Sequence, residues 1–307
     1  MLFSALPAQA AADARFIPVL MFHKVDDQPK YPEDISSSQL DSVFAYAWRH
    51  GYRPVNVSDI LYGRVDYVVP RGRKPLCITA DDAHQSILFS TATARHPDLH
   101  NARSFLEIFT ASTKAAGCAP RATFFLGGVG NNRFNDSVGP YFAGHASLRA
   151  IVRGLAATPG VELGYHTIVH RDMADMSPET ACDVVRDQMA QFRSMGVFEH
   201  ISPVLAYPFG EPPVSAAREA LRSLGIIGAV TAAPGLREAN EKTLKGCRYN
   251  GHLHSNPFLI PRVNIGAWTY TQRVGYGESS YSIIAPTQDF VKDACLPLRQ
   301  YVSRGLV

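Results

Sequence analysis

The sequence lacks long apolar runs and has little net charge. In 307 residues no stretch approaches the ~18 consecutive apolar residues that suggest a transmembrane helix, so we expect no membrane span. The formal net charge is only +3, and no basic cluster interleaved with aromatic residues occurs. Such a cluster is typical of proteins that bind nucleic acid, so we expect no nucleic-acid partner. Nothing in the sequence indicates an oligomeric state.

Cysteine is scarce and widely spaced. The five cysteines, at positions 77, 118, 182, 247 and 295, form no Cys-x-x-Cys pair, which argues against the common thiolate zinc and redox motifs. Because five is an odd number, at least one thiol is free or pairs between chains. Cys77 lies inside an apolar run, so we expect it to be a core residue.

The amino-terminal residues 1–15 are apolar and rich in alanine. Ala8-Gln9-Ala10 fits the small-x-small pattern of a signal-peptide cleavage site, although no basic region or long apolar region precedes it. The segment is either a shortened secretion leader or a flexible tail. We expect the leader, and therefore an extracytoplasmic location in the periplasm, in the cell envelope or outside the cell.

Strand and helix patterns alternate through residues 16–274, which we expect to form the catalytic domain. Apolar residues at helical spacing follow serine-containing cap patterns, of which Ser177-Pro178-Glu179 is the clearest. This alternation predicts an α/β fold with a parallel sheet, either a barrel or a doubly wound sheet. An insertion at about 127–160 shows little strand pattern, and residues 275–307 resemble a C-terminal extension that ends in a helix over 288–302. Strands are expected at 17–22, 76–79, 121–126, 161–165, 204–207, 226–231 and 259–265.

Candidate catalytic side chains follow the ends of two predicted strands. Asp81 and Asp82 come directly after one strand, and His166 and His170 follow another, four residues apart as in one helical turn. Active sites of parallel α/β barrels lie at the carboxyl ends of the strands. A catalytic zinc site requires three protein ligands, and the attacking water requires a base. One carboxylate and two imidazoles can bind the metal, which leaves a second carboxylate as the base.

Four segments, in chain order, resemble the motifs of polysaccharide deacetylases, the carbohydrate esterase family 4 built on the NodB-homology domain. Ile17-Pro18-Val19-Leu20-Met21-Phe22-His23 resembles the opening PVLMYH strand of this family. Thr79-Ala80-Asp81-Asp82-Ala83 resembles its T-F-D-D-G motif, and His166-Thr167-Ile168-Val169-His170 resembles its H-[ST]-x-x-H motif. Ala206-Tyr207-Pro208-Phe209-Gly210 is similar to the Y-P-[FY]-G form of its third motif. Together these motifs span roughly residues 16–265.

The resemblance implies an irregular (β/α) barrel with one divalent metal ion, which we expect to be Zn²⁺. Asp82, His166 and His170 would bind the metal, and Asp81 would be the general base. The implied reaction is metal-dependent removal of an acetyl group from an N-acetylated sugar or polysaccharide. It leaves a free amine and acetate.

The resemblance also implies which residues surround the substrate. The backbone N–H of Phe209 would help to hold the oxyanion of the tetrahedral intermediate, and we expect Tyr207, Phe209 and Arg262 to lie near the acetylated carbohydrate. The arginine that often opens the third motif is replaced by Ala206. Arg262 can take its place and hold the base ionised, or it can be an exposed arginine at the end of the barrel.

Other departures concern the second motif and the general acid. Ala80 and Ala83 replace the usual phenylalanine and glycine, which affects packing and backbone freedom rather than metal ligation. The L-x-x-H motif that carries the general acid of the family is not found. His254 is the preferred substitute, with His252 and His84 as alternatives. We expect His23 to shape the floor of the site rather than to react.

Two other kinds of function stay open. The same barrel can hydrolyse a non-sugar amide, such as a cyclic ureide, or an O-acetyl ester. It can also be a catalytically inactive barrel that only binds glycan.

Overall fold

One sheet of mainly parallel strands organises the chain. The computed structural model describes residues 15–31, 33–94, 99–127, 145–231, 246–249, 251–253, 255–266, 273–276 and 279–284. The strands in these ranges are β1 (Arg15–Phe22), β2 (Tyr52–Val55), β3 (Lys74–Ala80), β4 (Thr123–Leu126), β5 (Glu162–Tyr165), β6 (Ile201–Ala206), β7 (Gly228–Thr231), β8 (Gly246–Tyr249), β9 (Ile260–Pro261), β10 (Val263–Ile265), β11 (Arg273–Tyr276) and β12 (Ser279–Ile284). Of these, β8 is antiparallel to β1, and β11 is antiparallel to β12.

Helices connect most of these strands. They are α1 (Ser37–Arg49), α2 (Val57–Leu61), α3 (Val65–Val68), α4 (Phe105–Ala115), α5 (His145–Ala156), α6 (Pro178–Ser194) and α7 (Ser215–Ser223). The cap expected at Ser177 is present, since Ser177 accepts a backbone N–H of the first turn of α6, and Ser36 and Ser104 cap α1 and α4 in the same way. Among the described helices none is long and apolar enough to cross a membrane.

Eight parallel strands nearly close into a barrel, which confirms the expected fold class. Their order is β10-β1-β3-β4-β5-β6-β7-β9. The two ends of this strand order lie next to each other because β9 and β10 are one chain segment interrupted at Arg262. In this segment β9 pairs with β7, and β10 pairs with β1. The single strand predicted for 259–265 is therefore split. Pro261 has no N–H for the ladder, which favours the interruption at this point.

Successive side chains of each strand point to opposite faces of the sheet, so they form an inner core within the barrel and an outer core beneath the helices. Ile17, Val19 and Cys77 belong to a buried cluster inside the barrel, to which α2 and α3 also contribute. Leu20 and Phe22 belong to the cluster between the sheet and the surrounding helices. Cys77 is thus a core residue, as expected.

Three other segments differ from the sequence expectations or lie outside the described ranges. The insertion at 127–160 contains α5, which the sequence pattern did not predict. The expected C-terminal extension contributes β12, which pairs in parallel with β10, so the sheet continues past residue 274. The leader at residues 1–14, the centre of the insertion at 128–144 and the expected helix at 288–302 lie outside the described residues. The domain boundaries stay a prediction.

Candidate metal centre and catalytic site

The aspartate pair lies where β3 ends and the backbone leaves the sheet. The N–H of Asp81 donates to the carbonyl of Phe22 at 2.9 Å, which continues the pairing between β1 and β3. The next two residues then turn away with positive φ angles, 74° for Asp82 and 57° for Ala83. This turn points the two neighbouring carboxylates in different directions. Ala83 occupies a left-handed conformation that glycine adopts without penalty and alanine at a cost of about 1 kcal/mol.

The histidine pair lies in an irregular loop after β5. Residues 166–170 are not helical, although their spacing is that of one helical turn. Two positive φ angles, 61° at Thr167 and 44° at His170, fold the loop back on itself. The imidazole rings of His166 and His170 consequently lie edge to face, with ring centroids 4.9 Å apart.

Asp82, His166 and His170 converge on one small volume. One ligand atom from each lies within 4.8 Å of the others. The Oδ1 atom of Asp82 is 3.1 Å from Nε2 of His166 and 3.4 Å from Nε2 of His170. Asp82 and His166 are buried, and His170 is largely buried.

These three side chains fit a divalent metal ion. His166 Nδ1 lies 2.9 Å from the carbonyl oxygen of Ala206. Because a carbonyl only accepts, this nitrogen carries the proton, and in the neutral ring Nε2 presents a lone pair towards Asp82 Oδ1. The buried Asp82 Oδ1 accepts no hydrogen bond. Two lone pairs facing each other in a buried site favour a cation between them, and imidazole nitrogen with carboxylate oxygen is a common zinc ligand set.

The pKa values of His166 and His170 are shifted in opposite directions. Burial lowers the pKa of His170 to about 4, so its imidazole is neutral and able to bind a metal at neutral pH. Burial acts in the same direction on His166, but the nearby Asp81 and Asp82 carboxylates outweigh it and raise the pKa of this ring. For Asp82, the two imidazoles overcome the effect of burial and hold the carboxyl pKa far below its ordinary value.

Asp81 is held by an arginine instead. Arg262, fully buried, donates from Nη1 to Asp81 Oδ1 at 2.7 Å and from Nη2 to Oδ2 at 2.8 Å. Burial alone would raise the pKa of Asp81, but Arg262 and His166 outweigh it and lower this pKa. Asp81 Oδ2 also lies 3.8 Å from His166 Nε2. An ionised carboxylate therefore stands beside the metal-binding atoms without being one of them.

Solved structures with this architecture resemble the chain at low sequence identity. A polysaccharide deacetylase from Bacillus cereus matches with a TM-score of 0.53 and 14% identity, over 81% of this chain and 65% of that one. A Bacillus anthracis protein described as a polysaccharide deacetylase matches with a TM-score of 0.55 and 14% identity over the same shares. IcaB from Ammonifex degensii matches with a TM-score of 0.52 and 17% identity, over 81% of this chain and 91% of that one.

The shared architecture decides the fold. This chain has the NodB-like polysaccharide deacetylase fold. It spans just under two thirds of the two Bacillus proteins and most of IcaB. No protein-family model and no curated protein matches the chain.

In this deacetylase fold the third motif packs against one of the candidate metal ligands. Pro208–Gly210 forms a short 3₁₀ turn in which Phe209 has a φ of 56°, and the Phe209 ring contacts the His170 ring with centroids 4.6 Å apart. Tyr207 is fully buried in the outer core. Tyr207 and Arg262 are both buried, and their expected position near the substrate stays a prediction. The oxyanion role of the Phe209 N–H stays a prediction.

The proton donor remains to be assigned among the histidines. His254, the preferred candidate, lies outside the described residues, and its role stays a prediction. His252 is exposed. The Nδ1 of His84 accepts from the N–H of Ser86 at 3.1 Å and caps a short 3₁₀ helix.

His23 lies near the aspartate pair, and its expected place in the floor of the site stays a prediction. It follows β1 at the same barrel end as the aspartates, and it helps to lower the pKa values of both Asp81 and Asp82. Its Nδ1 atom is buried and makes no hydrogen bond, while the residue as a whole is partly exposed. Strand alternation was the available signal, because His23 continues the inward series of Ile17 and Val19.

Proposed function

We propose that this protein is a metal-dependent hydrolase that removes acetyl groups from N-acetylated amino sugars or a polysaccharide built from them. One divalent metal ion, Zn²⁺ in our proposal, would be held by Asp82, His166 and His170. The observation that supports this most directly is the position of the arginine-paired Asp81 beside those three ligands. A polymeric glycan substrate agrees with the extracytoplasmic location that we expect.

The roles of the residues follow from their charge and reach. A metal ion bound here would polarise the acetyl carbonyl and acidify the attacking water. Asp81 removes the proton from that water, because its guanidinium partner keeps it ionised at neutral pH. The new C–O bond converts the carbonyl into a tetrahedral oxyanion, to which the N–H of Phe209 donates.

The second half of the reaction requires a proton for the leaving nitrogen. We assign this proton to Nε2 of His23, because His23 is the partly exposed imidazole that lies beside Asp81 and Asp82. Protonation of the nitrogen allows the C–N bond to break, which releases the amine of the sugar and leaves acetate. His254 is the competing donor.

Acetate release tests this proposal. The wild type and Asp81→Asn would be assayed on N-acetylglucosamine oligomers, with metal content measured on both proteins. We expect the variant to keep its metal and to lose at least about 100-fold in kcat, the usual contribution of a general base. Asp183→Asn is a matched control, since it makes the same change on the exposed surface of α6.

Three results would contradict parts of the proposal. Equal rates for wild type and Asp81→Asn would remove Asp81 from the base role. Faster release from an O-acetyl ester or a non-sugar amide in the same panel would reassign the substrate. Bound metal without acetate release from any of these compounds would favour a barrel that only binds glycan.

A further inference from the structure

Backbone hydrogen bonds join the two sides of the loop between β1 and α1 into a closed turn. Val25 and Ile35 form a parallel bridge, in which the N–H of Ile35 donates to the carbonyl of Lys24 at 3.0 Å and the N–H of Asp26 donates to the carbonyl of Ile35 at 2.9 Å. The carboxylate of Asp34 accepts the N–H groups of residues 30 and 31 at 2.9 and 3.0 Å.

This closed turn places Glu33 near His23, and the His23 ring acts electrostatically on the Glu33 carboxyl. The bridge lies two residues after each of them, so the two side chains start from neighbouring points of the backbone. Glu33 is only 5% exposed, and its Oε1 atom is buried without a hydrogen-bond partner. His23 Nδ1 is buried and unpartnered in the same way. The Glu33 oxygen thus lacks a donor, and the His23 nitrogen lacks a partner of either kind.

Besides a backbone hydrogen bond within Glu33, His23 is the group that favours the ionised form of this carboxyl. The buried lysine of the loop, Lys24, is taken by Asp26, with Nζ 2.6 Å from Oδ2. Burial raises the pKa of Glu33, and Asp34 and Asp82 act in the same direction, while His23 opposes them. A buried carboxylate oxygen without a hydrogen bond costs about 1–3 kcal/mol, which contact with an imidazole N–H would recover.

We propose that Glu33 is a positioning residue that accepts the Nδ1–H of His23 and thereby directs Nε2 of this ring at the leaving nitrogen. Which imidazole nitrogen carries the proton is set by the hydrogen bond that the other nitrogen makes. Glu33 consequently fixes both the orientation and the tautomer of the proton donor. The catalytic part of this inference rests on the proposed function, but the pairing of the two residues does not.

The pairing is tested by ¹⁵N NMR of the protein labelled at histidine, with the His23 signals assigned from His23→Gln. In the wild type we expect neutral His23 to carry its proton on Nδ1. In Glu33→Leu that single pattern should give way to Nε2–H or to a mixture. Glu33→Gln keeps an oxygen acceptor and should keep the wild-type pattern. An unchanged pattern in Glu33→Leu would overturn the proposal. The buried side-chain amide of Asn264 also lacks a hydrogen-bond partner. Loss of the pattern in Asn264→Leu but not in Glu33→Leu would therefore assign the role to Asn264.

Kinetics test the consequence for catalysis. Glu33→Leu should lower kcat by about 10- to 100-fold with little change in KM, and Glu33→Gln should restore most of the rate. In a His23→Gln background, Glu33→Leu should have no further effect on kcat. Additive losses would overturn the proposal, because they would show that Glu33 acts apart from His23.

A matched control separates positioning from folding. Glu162→Gln changes another buried carboxyl, which accepts from Thr123 Oγ1 and the Ser58 N–H at the opposite end of the barrel. It should affect stability without changing the His23 tautomer. If the wild type releases no acetate, the proposed function fails, whereas the tautomer result still decides the pairing.

Discussion

Replacing Arg262 by methionine should be among the most damaging single changes in this barrel. Arg262 is fully buried and Asp81 is only 2% exposed, so the substitution leaves a buried carboxylate without its counter-charge. The guanidinium also donates to Thr79 Oγ1 at 3.1 Å and, from Nε, to the carbonyl of Thr231 at 3.0 Å. Breaking a buried ion pair from one side costs about 3–5 kcal/mol. We expect a loss of that size in the free energy of unfolding.

Urea unfolding at pH 7, followed by circular dichroism, measures this loss. The double variant Asp81→Asn/Arg262→Met removes both charges, so it should recover at least about 2 kcal/mol relative to the sum of the two single losses. Arg222→Met is a control on the surface, where the ion pair with Glu219 is more than half exposed and is worth about 0–1 kcal/mol.

The pH dependence of the free energy of unfolding provides an independent check, because acid should affect the wild type and Arg262→Met in opposite directions. In the wild type the lowered pKa of Asp81 contributes stability that is present above about pH 4 and is lost as pH falls through the folded-state value. In Arg262→Met the guanidinium no longer offsets the effect of burial, so the pKa of Asp81 rises. Lowering the pH from 7 should then protonate Asp81 and restore part of the lost free energy of unfolding. A cost below about 1 kcal/mol, or equal pH slopes in both proteins, would refute the electrostatic reasoning.

Two further predictions concern the metal ligands and the strained turn. Zinc affinity, measured by competition with a chelator, should fall as pH is lowered from 8 to 6, because the raised pKa of His166 keeps a competing proton on this ligand at higher pH than usual. A pH-independent affinity would contradict binding by His166. Ala83→Val should cost more than about 2 kcal/mol in urea unfolding, since a β-branched residue is poorly accommodated at a φ of 57°. Ala83→Gly should change stability by less than about 1 kcal/mol, because relief of strain offsets the lost methyl burial, and equal costs for the two variants would refute the strain argument.

Much of the fold could be predicted from local patterns. Apolar runs and serine caps indicated most of the strands and helices, because those signals depend on neighbouring residues alone. The split at Arg262 and the pairing of β12 with β10 could not be predicted in this way. Both depend on contacts between strands that lie far apart in the sequence. Helix α5 was missed because the glycine and asparagine residues in the first half of the insertion indicated a loop, although Leu148, Ile151, Val152 and Leu155 recur at helical spacing.

The candidate site was predictable in its residue types and not in its geometry. The Asp-Asp and His-x-x-x-His patterns indicated the candidate ligands, but the spacing of the histidines does not reveal the irregular loop in which they lie. Among the described residues, the five non-glycine residues with positive φ lie in three segments, which follow β3, β5 and β6. Each such conformation costs about 1–3 kcal/mol and persists only where the surrounding structure enforces it. The backbone that brings the ligands together is therefore enforced by the barrel and has no signal of its own in the sequence.

Arg262 contacts both the strands that close the barrel and the carboxylate of Asp81. Its position between β9 and β10 places its side chain at the seam, where one segment pairs with β7 on one side and with β1 on the other. From there the guanidinium holds Thr231, the last residue of β7, and reaches across to Thr79 and Asp81 at the end of β3. The same contacts that tie the two sides of the seam also keep Asp81 ionised. An opening of the seam would therefore release the base from its cation, so barrel stability and the charge of Asp81 should change together.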